Sequence, residues 1–303
     1  TPLHSSAASD VYKRQYKLYV IIMNILNFLG YHEKWHLKHS NREQCKYSIN
    51  EPIIEYILNI MSITKGTFVE FGAWDGILLS NCRKLYEKHW NGVFIEADHD
   101  KYKELQKNYA DDEHVTTILS FVDDSANNLD HILIKNNIND VDFLSIDIDG
   151  LDLNVFNAMD KIKPKLICIE GGQVLFPTDT TRVETHIQAD NVTQSLVNYI
   201  NDFKKKGYRL LCAYQDIFFV QEEYYSLFNV SENVFENYLN GIFALPRIPW
   251  LYEKQKQYNI TNEIVDYIIK NTNNSNITQR NKWVKDNESV LKSIETKLRE
   301  KYC

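Results

Sequence analysis

The sequence predicts an α/β fold: a mostly parallel, seven-stranded open sheet with an antiparallel hairpin at its edge and helical extensions at both ends. Three observations predict it. Between Phe68 and Glu170, short apolar runs alternate with stretches of helical period. Successive runs end in acids: Glu70, Glu96, Asp123 and the Asp147/Asp149 pair. After Glu170 the alternation stops, and Tyr208–Tyr214 and Asp216–Gln221 read as two strands joined by a tight turn. A chain of 303 residues, 44% hydrophobic and 25% charged, has ordinary globular composition. It is long enough for one large domain with an extension or for two small ones.

Taken in order, Thr1 to Gln15 has no periodicity and resembles translated sequencing-adapter read-through; 1–15 is expected to be a non-native leader. An N-terminal helical segment, 16–43, follows. Its apolar stretch Tyr16–Gly30 is shorter than the ~20 residues that span a bilayer and is broken by Asn24 and Asn27. It is read as a docking helix in preference to a membrane-associating one. The main domain is placed at 44–230. Ile53, Ile54, Ile57 and Ile60 have helical spacing and lead into a strand over Phe68–Phe71. Leu78–His89 reads as a helix with Leu79, Cys82 and Leu85 on one face, and Gly92–Glu96 as the second strand. A helix over Asp100–Tyr109 has Asp98 or Asp100 available as N-cap. Val115–Val122, Val141–Ile148 and Lys165–Glu170 are the next strands, separated by helices over Leu129–Lys135 and Val155–Met159. A further helix, Val192–Lys206, precedes the hairpin. Residues 231–303 form a helical C-terminal extension, with Lys282–Lys301 read as a solvated terminal helix.

The formal net charge of −7 argues against a nucleic-acid surface, which needs a basic stripe. The five cysteines are scattered, with no CxxC pair, so neither a disulfide framework nor a zinc site is suggested. A reducing, cytoplasmic setting fits this usage.

The stretch Thr67–Gly76, Thr-Phe-Val-Glu-Phe-Gly-Ala-Trp-Asp-Gly, carries the chemistry. An apolar strand meets a carboxylate and then a glycine turn, at the sheet edge where open α/β folds bind ligands. Right-handed crossovers place the other strand-end acids on the same edge. The spacing Gly72-Ala-Trp-Asp-Gly76 lacks the GxGxxG that brings a pyrophosphate to a helix N-terminus, which discounts an NAD-type oxidoreductase. S-adenosylmethionine fits instead. Glu70 and the Gly72–Gly76 loop would meet its amino-acid end. Glu96, about 20 residues on, would accept from the ribose hydroxyls, and Asp123 would lie near the adenine amino group.

Phe68–Gly76, Gly92–Glu96, Asp142–Gly150 and Ile169-Glu170 together resemble the FkbM-type branch of class I methyltransferases, as do Lys206–Leu210 and Phe218–Val220 downstream. The resemblance covers roughly Gln44 to Glu223. It implies a Rossmann-like fold, S-adenosylmethionine as cofactor, and methyl transfer to a hydroxyl, often on a sugar or natural-product scaffold. The implied cofactor-binding set is Glu70, Gly72, Asp75, Gly76 and Glu96, extended here to their neighbours Phe71, Ala73 and Ala97 and to Asp123. Where relatives often carry Asn or Tyr after the fifth strand, this chain has Gly171-Gly172-Gln173.

An alcohol acceptor loses a proton as it is methylated, and a base within hydrogen-bond reach helps. Asp147 is the first candidate, with Asp149 on the same side. The same pair could hold Mg²⁺, with Asp152 as a third ligand, but Asp-x-Asp-Gly is also ordinary turn chemistry, and the base reading is preferred. His186 is a weaker candidate base in the 171–190 loop. Trp74 is expected to fill the core beneath the cofactor. The expected partner is a small-molecule or glycan acceptor. The alternative function is a methyltransferase-like domain that binds without catalysis and serves as a scaffold.

Overall fold

The computed structural model describes residues 46–183, 193–244 and 247–303. The leader, the Tyr16–Gly30 segment and His186 lie outside these. Pro52 in the first turn starts α1 (Glu51–Ile60), which buries Ile53, Ile54 and Ile57. There follow β1 (Thr67–Phe71), α2 (Arg83–Glu87), β2 (Asn91–Glu96), α3 (His99–Tyr109), β3 (Val115–Leu119), α4 (Leu129–Lys135), β4 (Phe143–Ile146), α5 (Asp152–Ala158) and β5 (Leu166–Glu170). Then come α6 (Leu196–Lys205), β6 (Tyr208–Ala213), β7 (Asp216–Gln221) and α7 (Glu222–Tyr225). The chain ends in α8 (Val234–Ala244), α9 (Ile248–Tyr258), α10 (Glu263–Lys270), α11 (Arg280–Asp286) and α12 (Glu288–Tyr302).

The seven strands lie in the order β3-β2-β1-β4-β5-β7-β6. Five are parallel, and β7 runs antiparallel between β5 and β6. This is the strand order that the resemblance to class I methyltransferases implies. The hairpin does not simply add to the edge: its second strand is inserted next to β5, and β6 becomes the outer strand.

Successive strand residues point to opposite faces, and the two cores sort accordingly. Val69, Phe71, Val93, Ile95, Leu144 and Ile146 pack with α4, α5 and α6. Phe68, Phe94, Phe143, Cys168 and Phe218 face the other way, against α1, α2 and α3. By the same parity Glu70, Glu96, Asp147, Glu170 and Asp216 all fall on the face of α1–α3.

Two expected elements differ. Only Arg83–Glu87 of the Leu78–His89 segment is helical. Leu79, expected on the buried face, is 61% exposed and has φ of +60°. Side-chain acceptors, described below, hold residues 77–81 in turns and delay the helix. The C-terminal segment is also not solvated all round. It breaks at Asn287, whose amide bonds Trp283 O at 2.8 Å and whose Oδ1 accepts from Asn273 N at 2.7 Å. Trp283, Leu291, Ile294 and Leu298 join the same core as the sheet. At Gly241 an added Cβ would lie 2.0 Å from Ala213 O, so α8 crosses the end of β6 at backbone distance.

Because the terminal helices share the sheet's core, Trp283→Ala should lower stability by about 3–5 kcal/mol. Urea unfolding followed by far-ultraviolet circular dichroism and by fluorescence should remain one coincident transition. A helical transition that precedes loss of the sheet would contradict the shared core.

Candidate active site

The strand register builds two rungs across the carboxyl end of the sheet. In the lower rung, Glu70 lies between Phe94 and Ser145, and Ser145 lies beside Cys168. Two residues further on, Gly72 follows Phe71, whose partners are Ile95 and Ile146, and so sits between Glu96 and Asp147. Asp147 then neighbours Glu170, which pairs with Asp216. The upper rung therefore reads Glu96, Gly72, Asp147, Glu170, Asp216.

Asn81 ties the lower rung together. Its N–H donates to Glu70 Oε1 at 2.8 Å, and its side-chain amide donates to Ser145 Oγ at 2.9 Å. Its Oδ1 accepts from Ser48 Oγ and from Asn50 Nδ2. Asn50 Nδ2 also donates to the buried Asp216. Ser80 Oγ donates to the second Glu70 oxygen at 2.5 Å. Both Glu70 oxygens are thus engaged from beneath the glycine loop, which makes it an anchor for residues 80–81. Burial pushes the Glu70 carboxyl up to about 7, against these hydrogen bonds.

Acceptors hold the first half of the glycine loop. Glu96 takes Trp74 N at 2.7 Å on one oxygen, and Ala97 N and Asp98 N at 2.9 and 2.8 Å on the other. A carboxylate has about four acceptor sites, so Glu96 keeps capacity for a further donor. Asp75 Oδ1 accepts from Ile77 N and Leu78 N, both at 2.8 Å, and Ala73 N donates to Ile95 O at 3.2 Å. Phe71 belongs to the core, and Gly72 is exposed on the floor of the crevice. Trp74 is not in the core. Its φ of +48° turns it outward, where it is 41% exposed and donates to Glu104 at 3.3 Å.

The acids beyond β3 and β4 part company. Because β3 ends at Leu119, Asp123 stands past the strand end, where it accepts from Ser125 N and Ser125 Oγ at 2.8 Å each. These bonds hold its acid below the usual range. Asp152 is fully buried and folds back to accept from Ile148 N at 2.9 Å and Gly150 N at 3.0 Å. It closes the turn that presents Asp147 and Asp149. Burial raises its carboxyl to about 6.

Asp147, Asp149 and Glu170 each bring one carboxylate oxygen within 4.8 Å of the others. Glu170, rather than Asp152, is the third member of the group that could ligate a divalent cation through oxygen. The same crowding perturbs the acids. The surrounding protein and then Glu170, Asp216, Asp152 and Asp149 hold the Asp147 carboxyl well above its ordinary value, although its side chain reaches solvent. Burial, then Asp152 and Asp216, brings Glu170 to about 8.

Sequence reasoning missed Asp216 and Arg247. Arg247 stands at the start of α9 and donates to Gln173 Oε1 at 3.1 Å and to Gln215 O at 3.0 Å. Its guanidinium pKa is depressed by burial, opposed by Asp216 and Glu170. The Gly171-Gly172-Gln173 departure also has a structural reason. Tyr199 Oη donates to Glu170 O at 2.9 Å, and a Cβ on Gly171 would fall 2.2 Å from that hydroxyl oxygen. The signal for Asp216 was present: an acid opening an antiparallel strand, which puts it on the same edge and with the same parity as the others. The sequence carries no comparable signal for Arg247.

Glu70 binds a proton in the fold more tightly than in the unfolded chain, so its share of stability is present at low pH. That share is lost as pH rises from the ordinary value of 4.5 through about 7. At about 1.4 kcal/mol per pKa unit the loss is on the order of 3 kcal/mol. Glu70→Gln, whose amide can still meet Ser80 Oγ, should show a shallower fall in urea-midpoint stability between about pH 5 and pH 8 than the wild type. Parallel profiles would refute this.

Residues 77–210 match the family model described as the methyltransferase FkbM domain. The match includes Glu96, Asp123, Asp147, Asp149 and Glu170, and begins just after the glycine loop. No curated protein matches the chain in sequence. Among solved structures, the glycopeptide N-methyltransferase MtfA complexed with sinefungin is 11% identical, with a TM-score of 0.36, covering 59% of this chain and 88% of that one. An O-methyltransferase family protein from Burkholderia thailandensis is 9% identical, with a TM-score of 0.37 and coverage of 57% and 55%. TrmK from M. capricolum, in complex with S-adenosyl-homocysteine, is 11% identical, with a TM-score of 0.39 and coverage of 80% and 96%. Residues 77–210, the stretch from the end of the glycine loop to β6, are thus similar to the methyltransferase FkbM domain.

Proposed function

We propose that the protein binds S-adenosylmethionine over Gly72 and transfers its methyl group to a hydroxyl of a sugar or natural-product-like acceptor. The observation that carries the reading is the upper rung. A residue without a side chain lies exposed between Glu96, which retains acceptor capacity, and Asp147, which has a perturbed acidity. The cofactor fits these residues: Gly72 leaves the room, and the unused acceptor site of Glu96 suits a ribose hydroxyl. The similarity of residues 77–210 to the methyltransferase FkbM domain supports the same assignment.

When bound, the cofactor supplies an electrophilic methyl group on a sulfonium. The protein's part is to align, to exclude water and to take a proton. The turn Ala73–Gly76, pinned to Glu96 and closed by its own Gly76 N–H to Ala73 O bond, offers its fixed curvature to the amino-acid end. Glu70 acts from below by holding residues 80–81. Asp123 and Ala97 border the adenine side. Asp147 accepts the proton of the acceptor hydroxyl. A carboxylate in water is too weak a base for an alcohol, but one whose pKa is raised well above its ordinary value is better matched. Burial, and then the neighbouring carboxylates of Glu170, Asp216, Asp152 and Asp149, lifts it.

Two outcomes test the reading. Calorimetry with S-adenosylhomocysteine should show binding by the wild type and at least about tenfold weaker binding by Glu96→Ala, the cost of losing charge-assisted hydrogen bonds. Asp147→Asn should keep cofactor affinity within about threefold and lower turnover by about 10²–10⁴, with S-adenosylhomocysteine release measured over a panel of hydroxylated acceptors. Wild-type turnover should rise with pH as Asp147, held above its ordinary value by burial and then by Glu170, loses its proton. A folded wild type that binds nothing would overturn the cofactor assignment, and binding without turnover on any acceptor would favour the scaffold alternative.

A further inference from the structure

The helix α3 grips the glycine loop at three consecutive residues. Trp74 lies against its outer face, with Lys101 Nζ 4.7 Å from the ring centroid and Glu104 accepting from the indole N–H. Asn108 Nδ2 donates to Asp75 O at 2.9 Å. Tyr109 Oη donates to Gly76 O at 2.6 Å. Gly76 has φ of +71°, and a Cβ there would meet the Tyr109 ring at 2.6 Å. The ring and the hydroxyl therefore define the last turn of the loop together.

Tyr109 is itself held. Arg83 Nη1 donates to its hydroxyl at 2.8 Å, and the guanidinium also lies 4.6 Å from the Tyr86 ring centroid. The Tyr86 and Tyr109 rings meet edge to face at 5.1 Å. Tyr86 uses its own hydroxyl elsewhere, donating to Asp112 at 2.7 Å. The two tyrosines thus share one cluster, and of the two Tyr109 is the one that reaches the loop. A guanidinium donating to the hydroxyl polarises its O–H toward the carbonyl and strengthens that bond.

We propose that Tyr109, supported by Arg83, is a positioning residue for the cofactor: it fixes the Gly76 carbonyl and so sets the curvature of the Ala73–Gly76 turn. Asn108 does the same for Asp75 from the surface of α3. This rests on the cofactor reading above. The loop's shape is then a property of α3, which follows β2, as much as of the loop's own glycines.

The test compares S-adenosylhomocysteine affinity, by calorimetry, with the melting temperature of the ligand-free protein. Tyr109→Phe keeps the ring and removes the bond to Gly76. It should weaken affinity about 5- to 20-fold, the range for losing one or two neutral hydrogen bonds. Tyr86→Phe removes a hydroxyl from the same cluster and should leave affinity within about twofold, whatever it does to melting. Asn108→Ala, at an exposed position, keeps the fold and should weaken affinity about 2- to 5-fold. Wild-type affinity in both Tyr109→Phe and Asn108→Ala would overturn the proposal while leaving the cofactor reading intact. Equal weakening in Tyr86→Phe and Tyr109→Phe would reduce Tyr109 to a packing role. If Tyr109→Phe does not fold, Asn108→Ala decides alone. Absence of binding by the wild type would overturn both the proposal and the reading beneath it.

Discussion

The close approach of Gly72 to the carbonyl of Asp147 is the constraint on which the site depends. An added Cβ at Gly72 would sit 2.2 Å from that oxygen, and its φ is +74°. Parallel neighbours β1 and β4 leave the sheet side by side, and their exit loops must pass within backbone contact. A side chain would force them apart and separate Glu96 from Asp147. With glycine there, the loops touch and the floor between the acids stays open.

A second layer holds that geometry. Buried polar groups need partners, and here the partners come from distant parts of the chain. Asn81 joins the segment before α1 to β1 and β4, and Asn50 carries the connection to Asp216 on β7. A network of this kind is costly if incomplete, so each member restrains the others. The carboxylates above it repel one another, and Arg247 supplies a half-buried opposing charge from the start of a helix outside the matched family segment.

Much of the fold was legible because each strand had its own local signature. The alternation of apolar runs and helical stretches identified the five parallel strands, and the tight turn identified the two strands of the hairpin. The boundaries failed where side-chain acceptors compete with helix formation. Residues 77–82 carry helix-compatible leucines, yet Asp75, Glu70 and Ser80 claim their backbone N–H groups. Solvation of the last helix was misjudged for a different reason. Its polar composition conceals a stripe of Leu291, Ile294 and Leu298, which is meaningful once a partner surface exists.

The sequence by itself determined which residues could reach the carboxyl edge of the sheet. Strand periodicity fixes the parity of each side chain, and an acid at a strand end is written in the local order of residues. Tertiary structure alone decided which of those acids meet. Strand order brought Glu170 to Asp147 and Asp149 and placed Asp216 beside Glu170, while a turn closed over Asp152 and kept it from the group. Those contacts depend on crossovers between segments far apart in the chain, and local pattern carries no record of them. Thr67–Gly76 shows both halves. Its strand, carboxylate and glycines were plain in the sequence. Its engagement by Glu96 and by the far end of α3 required the folded chain, because each partner arrives from the next strand or beyond.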